Sequence, residues 1–465
     1  MKTAIFNPIA RAARRLLPLG VLAVVALLTA CSDDDNGSGA PLAINKVYLE
    51  DVNAPDSVYD REVTFARLGQ LIRIEGSGFT GLKKIYINGY DTYFNNALLT
   101  DNNVWVTLNA KTPVDKAEES VRNTITLVKD NGQLTYSFTV RAASPSVTSV
   151  DNTLPQPGET VTVYGANLQE TSKVTLPGGT EVTTGITNDP DGEWYSFTMP
   201  AGITASGSIT SEGANGTAVT PAYFNNNDCF VINFDGKGEQ GSWSATFSAD
   251  DLVDDPLGSG RGKVCMVLPQ SVLDAGGLLA GANAKGFWTA GNGNPNDDWN
   301  RMTTFIPGRT PVDSVALQFD VYVPEDWNGS GQIEITLQNN LANYGYGSAG
   351  TKYSSTYLNQ AYAWVPWLDR TTGAAAPYNT GGHWKTVTLP LSLFGNYTDS
   401  STAWTFQNVI DDRNAGSYRN FGFLFVNPDL TFDETHVYAA QDFKQKIYVD
   451  NFRIVPCTAI TVSDY

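Results

Sequence analysis

Histidine and cysteine are scarce. The 465 residues hold 2 His and 4 Cys, which leaves little for metal or thiol chemistry. No Cys-x-x-Cys pair offers a zinc site, and neither a phosphate loop nor a dinucleotide fingerprint occurs. His383 and His436 have no Ser or Cys nucleophile in a recognised motif, so a catalytic triad is not indicated. Basic residues are also short, with Lys+Arg at 30 against 48 Asp+Glu. Setting aside the four cations of residues 1–30 (Lys2, Arg11, Arg14, Arg15) from a net −18 leaves −22 for the rest. A chain this acidic does not attract nucleic acid or an anionic membrane surface, and admits a neutral or cationic partner. Only one apolar run, Leu16 to Ala30, stands out, and it is short for a bilayer span.

That run follows a basic segment, as the core of a signal peptide does. It ends Leu28-Thr29-Ala30-Cys31, the lipobox pattern in which small residues precede a Cys that becomes the acylated first residue. Residues 1–30 are therefore expected to be a lipoprotein signal peptide, with Cys31 the lipid attachment site. Residues 31–40 then form a flexible acidic tether, Ser32-Asp33-Asp34-Asp35-Asn36-Gly37-Ser38-Gly39. Lipid, not a transmembrane helix, is the expected anchor. The acidic patch after the Cys resembles the surface-export signal of Gram-negative bacteria that dedicate lipoproteins to polysaccharide capture.

The length calls for two to four domains. Gly, Asn, Thr and Tyr favour strands and turns over helices. Over 41–143, Leu71-Ile72-Arg73-Ile74-Glu75-Gly76-Ser77-Gly78-Phe79 alternates and stops at a Gly-rich turn. Lys84-Ile85-Tyr86-Ile87-Asn88-Gly89-Tyr90 ends in an Asn-Gly hairpin signal. Val104 to Leu108, Asn123 to Val128 and Leu134 to Val140 continue the pattern, which fits an immunoglobulin-like sandwich. Over 144–224 it returns: Gly158-Glu159-Thr160-Val161-Thr162-Val163-Tyr164-Gly165-Ala166-Asn167-Leu168 parallels Gly69 to Phe79, and Val174 to Gly179 parallels Ile85 to Gly89.

Residues 225–465 read as one larger all-β unit. Ser314 to Val323, Gln332 to Leu337, Trp384 to Leu391, Phe421 to Val426 and Lys446 to Val455 are its core strands, each with one buried face, as in two packed sheets. Eight of the ten Trp fall here. The densest cluster is Tyr362-Ala363-Trp364-Val365-Pro366-Trp367. Alternation puts Tyr362 and Trp364 on one face. Pro366 cannot donate to a ladder, so the segment is an edge strand or runs into a loop. Tyr344, Tyr346, Tyr353 and Tyr357 precede it in a Gly-, Ser- and Asn-rich run. Flat rings among amides and hydroxyls suit a sugar, whose C–H face stacks on a ring while its hydroxyls find hydrogen-bond partners. Core packing is the plainer reading of any single ring. Trp364, Trp367 and Tyr362 are the first candidate platforms. Trp288 and Trp299, which bracket a long polar loop, come next, although Trp299 equally suits an anchor into the core. Trp384 and Trp327 border strands and read as core. Asn339, Asn340 and Asn343 read as turn residues before ligands.

The repeat in 41–143 and 144–224 resembles tandem IPT/TIG domains, with their G-x-x-(V/I)-x-(V/I)-x-G-x-(N/G)-(F/L) pattern and a following strand and Asn-Gly or Gly-Gly turn. The closing Tyr448-Val449-Asp450-Asn451-Phe452-Arg453-Ile454 is similar to jelly-roll carbohydrate-binding modules. Lipobox, acidic tether, two immunoglobulin-like units and an aromatic-rich β-domain together resemble the surface glycan-binding proteins of polysaccharide-utilisation loci. The 225–465 segment resembles their xyloglucan-binding domain through Tyr362 to Trp367, Gly381 to Leu391 and the Tyr-Val-Asp-Asn-Phe end. The resemblance implies two tandem immunoglobulin-like (IPT/TIG) spacer sandwiches followed by a jelly-roll-like β-sandwich that binds carbohydrate. It implies a lipid-anchored protein on the outer membrane surface that captures a polysaccharide of β-glucan, xyloglucan or mannan type without cleaving it. It further implies a TonB-dependent transporter as neighbour.

Two rivals stand beside this reading. A glycoside hydrolase needs two placed carboxylates. Asp297-Asp298 and Asp411-Asp412 are adjacent pairs, whose side chains part on a strand and in loops are solvated or bind calcium. A polysaccharide lyase or esterase using either His is the variant of that rival. A protein-binding adhesin acting through the immunoglobulin-like units is the other. No cofactor is expected. A structural calcium at Asp235 and Asp450, near the ends of the large unit, is weaker than reading both as surface carboxylates. Cys229 and Cys457 lie near the same two ends, where a disulfide suits an extracytoplasmic protein and leaves Cys265 over.

Overall fold

The computed structural model describes residues 40–50, 59–130, 132–235, 251–266, 285–289, 297–337, 361–416, 419 and 421–456. The regular structure of the described residues is mostly strand, as the alternation predicts.

The first unit pairs two four-stranded sheets. One runs Asp60–Glu62, Ala43–Glu50, Leu71–Ser77, Asn103–Thr107; the other runs Tyr90–Thr92, Lys84–Ile87, Thr124–Lys129, Gly132–Ser137. Every second residue of Leu71–Ser77 is buried, so Ile72 and Ile74 meet Ile85, Ile87, Ile125 and Leu127 in one core. Asn88 (φ 49°) and Gly89 (φ 79°) form the tight hairpin turn that their sequence announces. The next unit repeats the plan with Ser146–Val150, Thr160–Ala166, Trp194–Thr198 and Thr187–Asn188 facing Glu181–Val182, Thr171–Thr175, Thr210–Gly213 and Gly216–Val219. Val161, Val163, Val174, Tyr195 and Phe197 fill it.

The repeat extends to a shared close approach. The first strand of each unit shifts register once, between Ile44 and Lys46 and between Val147 and Ser149. At the far end of the partner strand sits Gly76 or Gly165. A Cβ there would lie 1.8 Å from the Ala43 carbonyl oxygen or 1.9 Å from that of Ser146, so only glycine fits.

The third unit is a sandwich whose strands we label β1 (Phe230–Ile232), β2 (Leu252–Asp254), β3 (Lys263–Met266), β4 (Lys285–Trp288), β5 (Val315–Tyr322), β6 (Gln332–Thr336), β7 (Ala361–Trp364), β8 (Lys385–Pro390), β9 (Gly422–Val426) and β10 (Tyr448–Pro456). One sheet has the order β2-β3-β10-β5-β8, with β1 also on β10; the other is β4-β9-β6-β7. Their inner faces share one core, with Leu317, Phe319, Val321, Phe452 and Ile454 from the first sheet and Ile333, Ile335, Phe287, Phe423 and Phe425 from the second. Helix α1 (Phe406–Ala415) is a departure from the all-strand expectation. It opens where the Asn408 side chain accepts from the Thr405 N–H at 2.9 Å, and it buries Phe406, Val409 and Ile410. Asp411 and Asp412 therefore lie on a helix, and Asp412 accepts from the Tyr397 hydroxyl at 2.7 Å.

Candidate functional site

The aromatic cluster comes first, because the sequence points to it. Strand β7 is the edge of its sheet, as Pro366 predicts. Its rings turn inward, however. Trp364 is 0 % exposed and meets Phe319, Trp327 and Tyr378 edge-on at 5.3, 5.7 and 5.7 Å. Trp367 is buried against Tyr438, and its indole donates to the Gly331 carbonyl at 2.8 Å. Tyr362 is buried between Phe394 and the Arg370 guanidinium, 4.6 Å over its ring. Trp299 is buried too, capped at 4.2 Å by Arg413 and donating to Asp297 at 3.0 Å. These four rings are core, not platforms, and the expectation that they stack on a sugar is corrected. The reason is physical: alternation shows that Tyr362 and Trp364 share a face, but both pair across the ladder with Ile335 and Ile333, whose face is the inner one. Trp288 closes β4 with its backbone in register with Gly422. Trp327 and Trp384 are buried as expected. Tyr344, Tyr346, Tyr353, Tyr357, Asn339, Asn340, Asn343, Cys31 and Cys457 lie outside the described residues.

Asp297 is likewise neither solvated nor a calcium ligand. It accepts from Arg413 at 2.9 Å, from the Phe421 N–H at 2.8 Å, and from the Thr289 hydroxyl. Burial pushes its carboxyl up, and Arg413 opposes that. Among the described residues no group of three or more His, Cys, Asp or Glu could hold a metal ion. Cys229 and Cys265 are buried, and Cys229 is a free thiol that bridges to no described residue. Burial pushes the Cys229 thiol up to about 11. His383 faces Asp151 at 3.3 Å, and His436 caps a turn beside Asp433 at 2.9 Å.

The sandwich has two outer faces. On the first sheet the outer residues are Ala316, Gln318, Asp320 and Tyr322 of β5, Thr386 and Thr388 of β8, and Asp450, Arg453 and Val455 of β10. A bulge at Asn451 (φ 56°) sets Asp450 opposite Asp320 and Arg453 opposite Gln318, while Phe452 turns into the core. Asp320 is 0 % exposed. It accepts from Arg261 at 2.8 Å, Arg453 at 3.2 Å, Thr386 at 2.8 Å and Asn451 at 3.0 Å. Burial, with Asp320 adding, pushes the Asp450 carboxyl well above the usual range, and two guanidiniums face Asp320 and Glu159. Asp450 is thus not a surface carboxylate. This face is occupied, because Thr153, Asp151, Glu159 and Tyr223 of the preceding unit rest on it.

The outer face of the second sheet is built differently. Strand β6 presents Gln332, Glu334 and Thr336 there, opposite to Ile333 and Ile335. Cross-strand neighbours are small or apolar: Ala361 and Ala363 on β7, Gly422, Leu424 and Val426 on β9, and Gly286 beyond Leu424. Leu424 and Val426 are buried yet belong to none of the main cores. Glu334 is 0 % exposed, and neither carboxylate oxygen has a hydrogen-bond partner among the described residues. Burial alone pushes its carboxyl well above the usual range. A desolvated acid without a partner among the described residues is an expensive arrangement, and this face is closed to solvent, since Ala363, Leu424 and Val426 beside it are fully buried as well. Sequence reasoning missed this stripe. Its only signal is Gln-x-Glu-x-Thr on one face of a strand otherwise made of Ile.

Comparison with known proteins gives the following. The family described as "Surface glycan-binding protein B xyloglucan binding domain" matches residues 224–456. An IPT/TIG domain-containing protein of Bacteroides ovatus is 29% identical over 193 residues, 41% of this chain. The chain spans only 37% of that relative's length. The crystal structure of the surface glycan-binding protein PbSGBP-B from Prevotella bryantii superposes with a TM-score of 0.58 at 20% identity, covering 90% of this chain and 99% of that one. That likeness shows the fold.

Proposed function

Since the chain belongs to the family of the surface glycan-binding protein B xyloglucan-binding domain, we propose that it captures a polysaccharide of β-glucan, xyloglucan or mannan type and leaves it uncleaved. The observation that carries this reading is the family match across the sandwich, residues 224–456. The candidate for a stacking ring is Trp288, whose backbone pairs with Gly422. A ring contact of this kind contributes about 1 kcal/mol, so affinity per site is weak and long ligands gain by multiple engagement.

Residues 41–143 act as a spacer, residues 31–40 as the tether, and Cys31 as the acylated anchor at the outer membrane. Bound glycan passes to a TonB-dependent transporter. Affinity electrophoresis tests the binding. Gels cast with xyloglucan, mixed-linkage β-glucan or mannan should retard the chain, and Trp288→Ala should weaken that retardation. Free mobility in every neutral gel rejects capture. Reducing ends appearing on long incubation reject the non-catalytic part.

A further inference from the structure

The junction between the second immunoglobulin-like unit and the sandwich is charged and sealed. The Arg261 side chain is 0 % exposed, and Glu159 receives its guanidinium as a fork, Nε to Oε1 at 3.0 Å and Nη2 to Oε2 at 2.8 Å. The remaining Arg261 nitrogen reaches Asp320 at 2.8 Å, and the Trp384 ring lies 4.7 Å beneath the group. Arg453 donates to Asp320 and, at 3.0 Å, to the Thr153 hydroxyl. That hydroxyl donates to Gln318 at 3.0 Å. The Thr153 N–H meets the Thr386 hydroxyl at 2.9 Å, and the Thr386 N–H meets the Asp151 carbonyl at 2.6 Å. Tyr223 packs on Ala316 and Val455 beside this network.

Asp151, Thr153 and Glu159 each bond a group of the sandwich across the boundary. Separating the units leaves two guanidiniums and Asp320 to be hydrated at once, and exposes the Tyr223 contact. Paired buried charges contribute little over an apolar contact, but removing one partner is expensive. Such a junction is all-or-none in geometry, unlike the contacts between the first two units. Those include the exposed pair Lys116–Asp191 at 2.6 Å and the Arg141 bond to the Ala214 carbonyl at 2.9 Å.

We propose that residues 144–456 form a single cooperative folding unit, in which the second immunoglobulin-like segment is a structural part of the sandwich and not a spacer hinged to it. Asp320 is the keystone, and Glu159 is the contact that the spacer contributes. The inference does not depend on any ligand.

The test is urea unfolding of the full chain, read by hydrogen exchange and mass spectrometry on peptides from Thr160–Ala166, Val315–Tyr322 and Leu71–Ser77. In the native chain the first two should lose protection at one urea concentration, with Leu71–Ser77 free to differ. In Glu159→Gln the first two should part, the sandwich losing protection earlier. Lys116→Ala, which removes an exposed pair, should leave all three midpoints in place. Separate midpoints for Thr160–Ala166 and Val315–Tyr322 in the native chain overturn the proposal. So does a Glu159→Gln chain in which they still coincide with the native value. Thr153→Val gives the same readout should Glu159→Gln fail to fold.

Discussion

Trp364→Ala distinguishes a core ring from a platform ring. The indole is fully enclosed, and its neighbours Phe319, Trp327 and Tyr378 are held edge-on in their own contacts. They cannot collapse into the space it leaves, which puts the loss at the upper part of the range for burying Trp→Ala, about 3–5 kcal/mol. About 4 kcal/mol is roughly a thousandfold in the folded-to-unfolded ratio. Urea unfolding followed by fluorescence measures it. The same sample, held well below its lowered midpoint, is then run in a glycan gel. Reduced stability with retardation retained is expected, because Trp364 is enclosed in the core. Stability within about 0.5 kcal/mol of native together with lost retardation would show the ring to be a platform after all and refute the reasoning.

Two further outcomes follow from the titrating and thiol groups. The His383 pKa is raised by its contact with Asp151. The pair's contribution is therefore whole below about pH 6.5 and is lost as pH rises through the folded value. With the imidazole partly exposed the effect is at most about 1 kcal/mol, and His383→Gln should flatten the stability–pH curve above neutrality; an unchanged slope argues against the pair. Cys229 and Cys265 are buried, and the Cys229 thiol is pushed up to about 11. A thiol reagent at pH 8 should miss Cys229 in the folded chain and find it after unfolding without reductant; failure to titrate it then would mean that it is oxidised.

Much of the fold is legible because it is written in local terms. Asn88-Gly89 announces a turn, and the Gly76 and Gly165 positions repeat because the same backbone crossing recurs 89 residues apart in the numbering. The aromatic cluster misleads because period-two alternation names two faces without saying which is inside; that is set by which sheet lies opposite, through Ile333, Ile335 and Phe319. The closing Asp450-Asn451-Phe452-Arg453 reads as a family mark, yet its work is the bulge that turns Phe452 inward and lines up Asp450 and Arg453 against Asp320. Such a network spans residues 153 to 453 and has no local signature. The fragment 225–465, natural from the sequence, omits Glu159 and Thr153, so binding studies belong on a chain that keeps them.

The central claim is that the sandwich captures a glycan, with Glu334 enclosed in its interior and not at the ligand. Burial raises the Glu334 carboxyl well above its usual value. The folded state thus holds that proton more tightly than the unfolded one, and stability falls as pH rises from about 4.3 through the folded value. Replacing the acid with its neutral isostere should therefore stabilise the fold at neutral pH. Calorimetric titration with a xyloglucan oligosaccharide should show the native and Glu334→Gln chains binding alike, and affinity weakened about tenfold, close to 1.4 kcal/mol, by Trp288→Ala. A native chain that takes up no oligosaccharide would contradict the account.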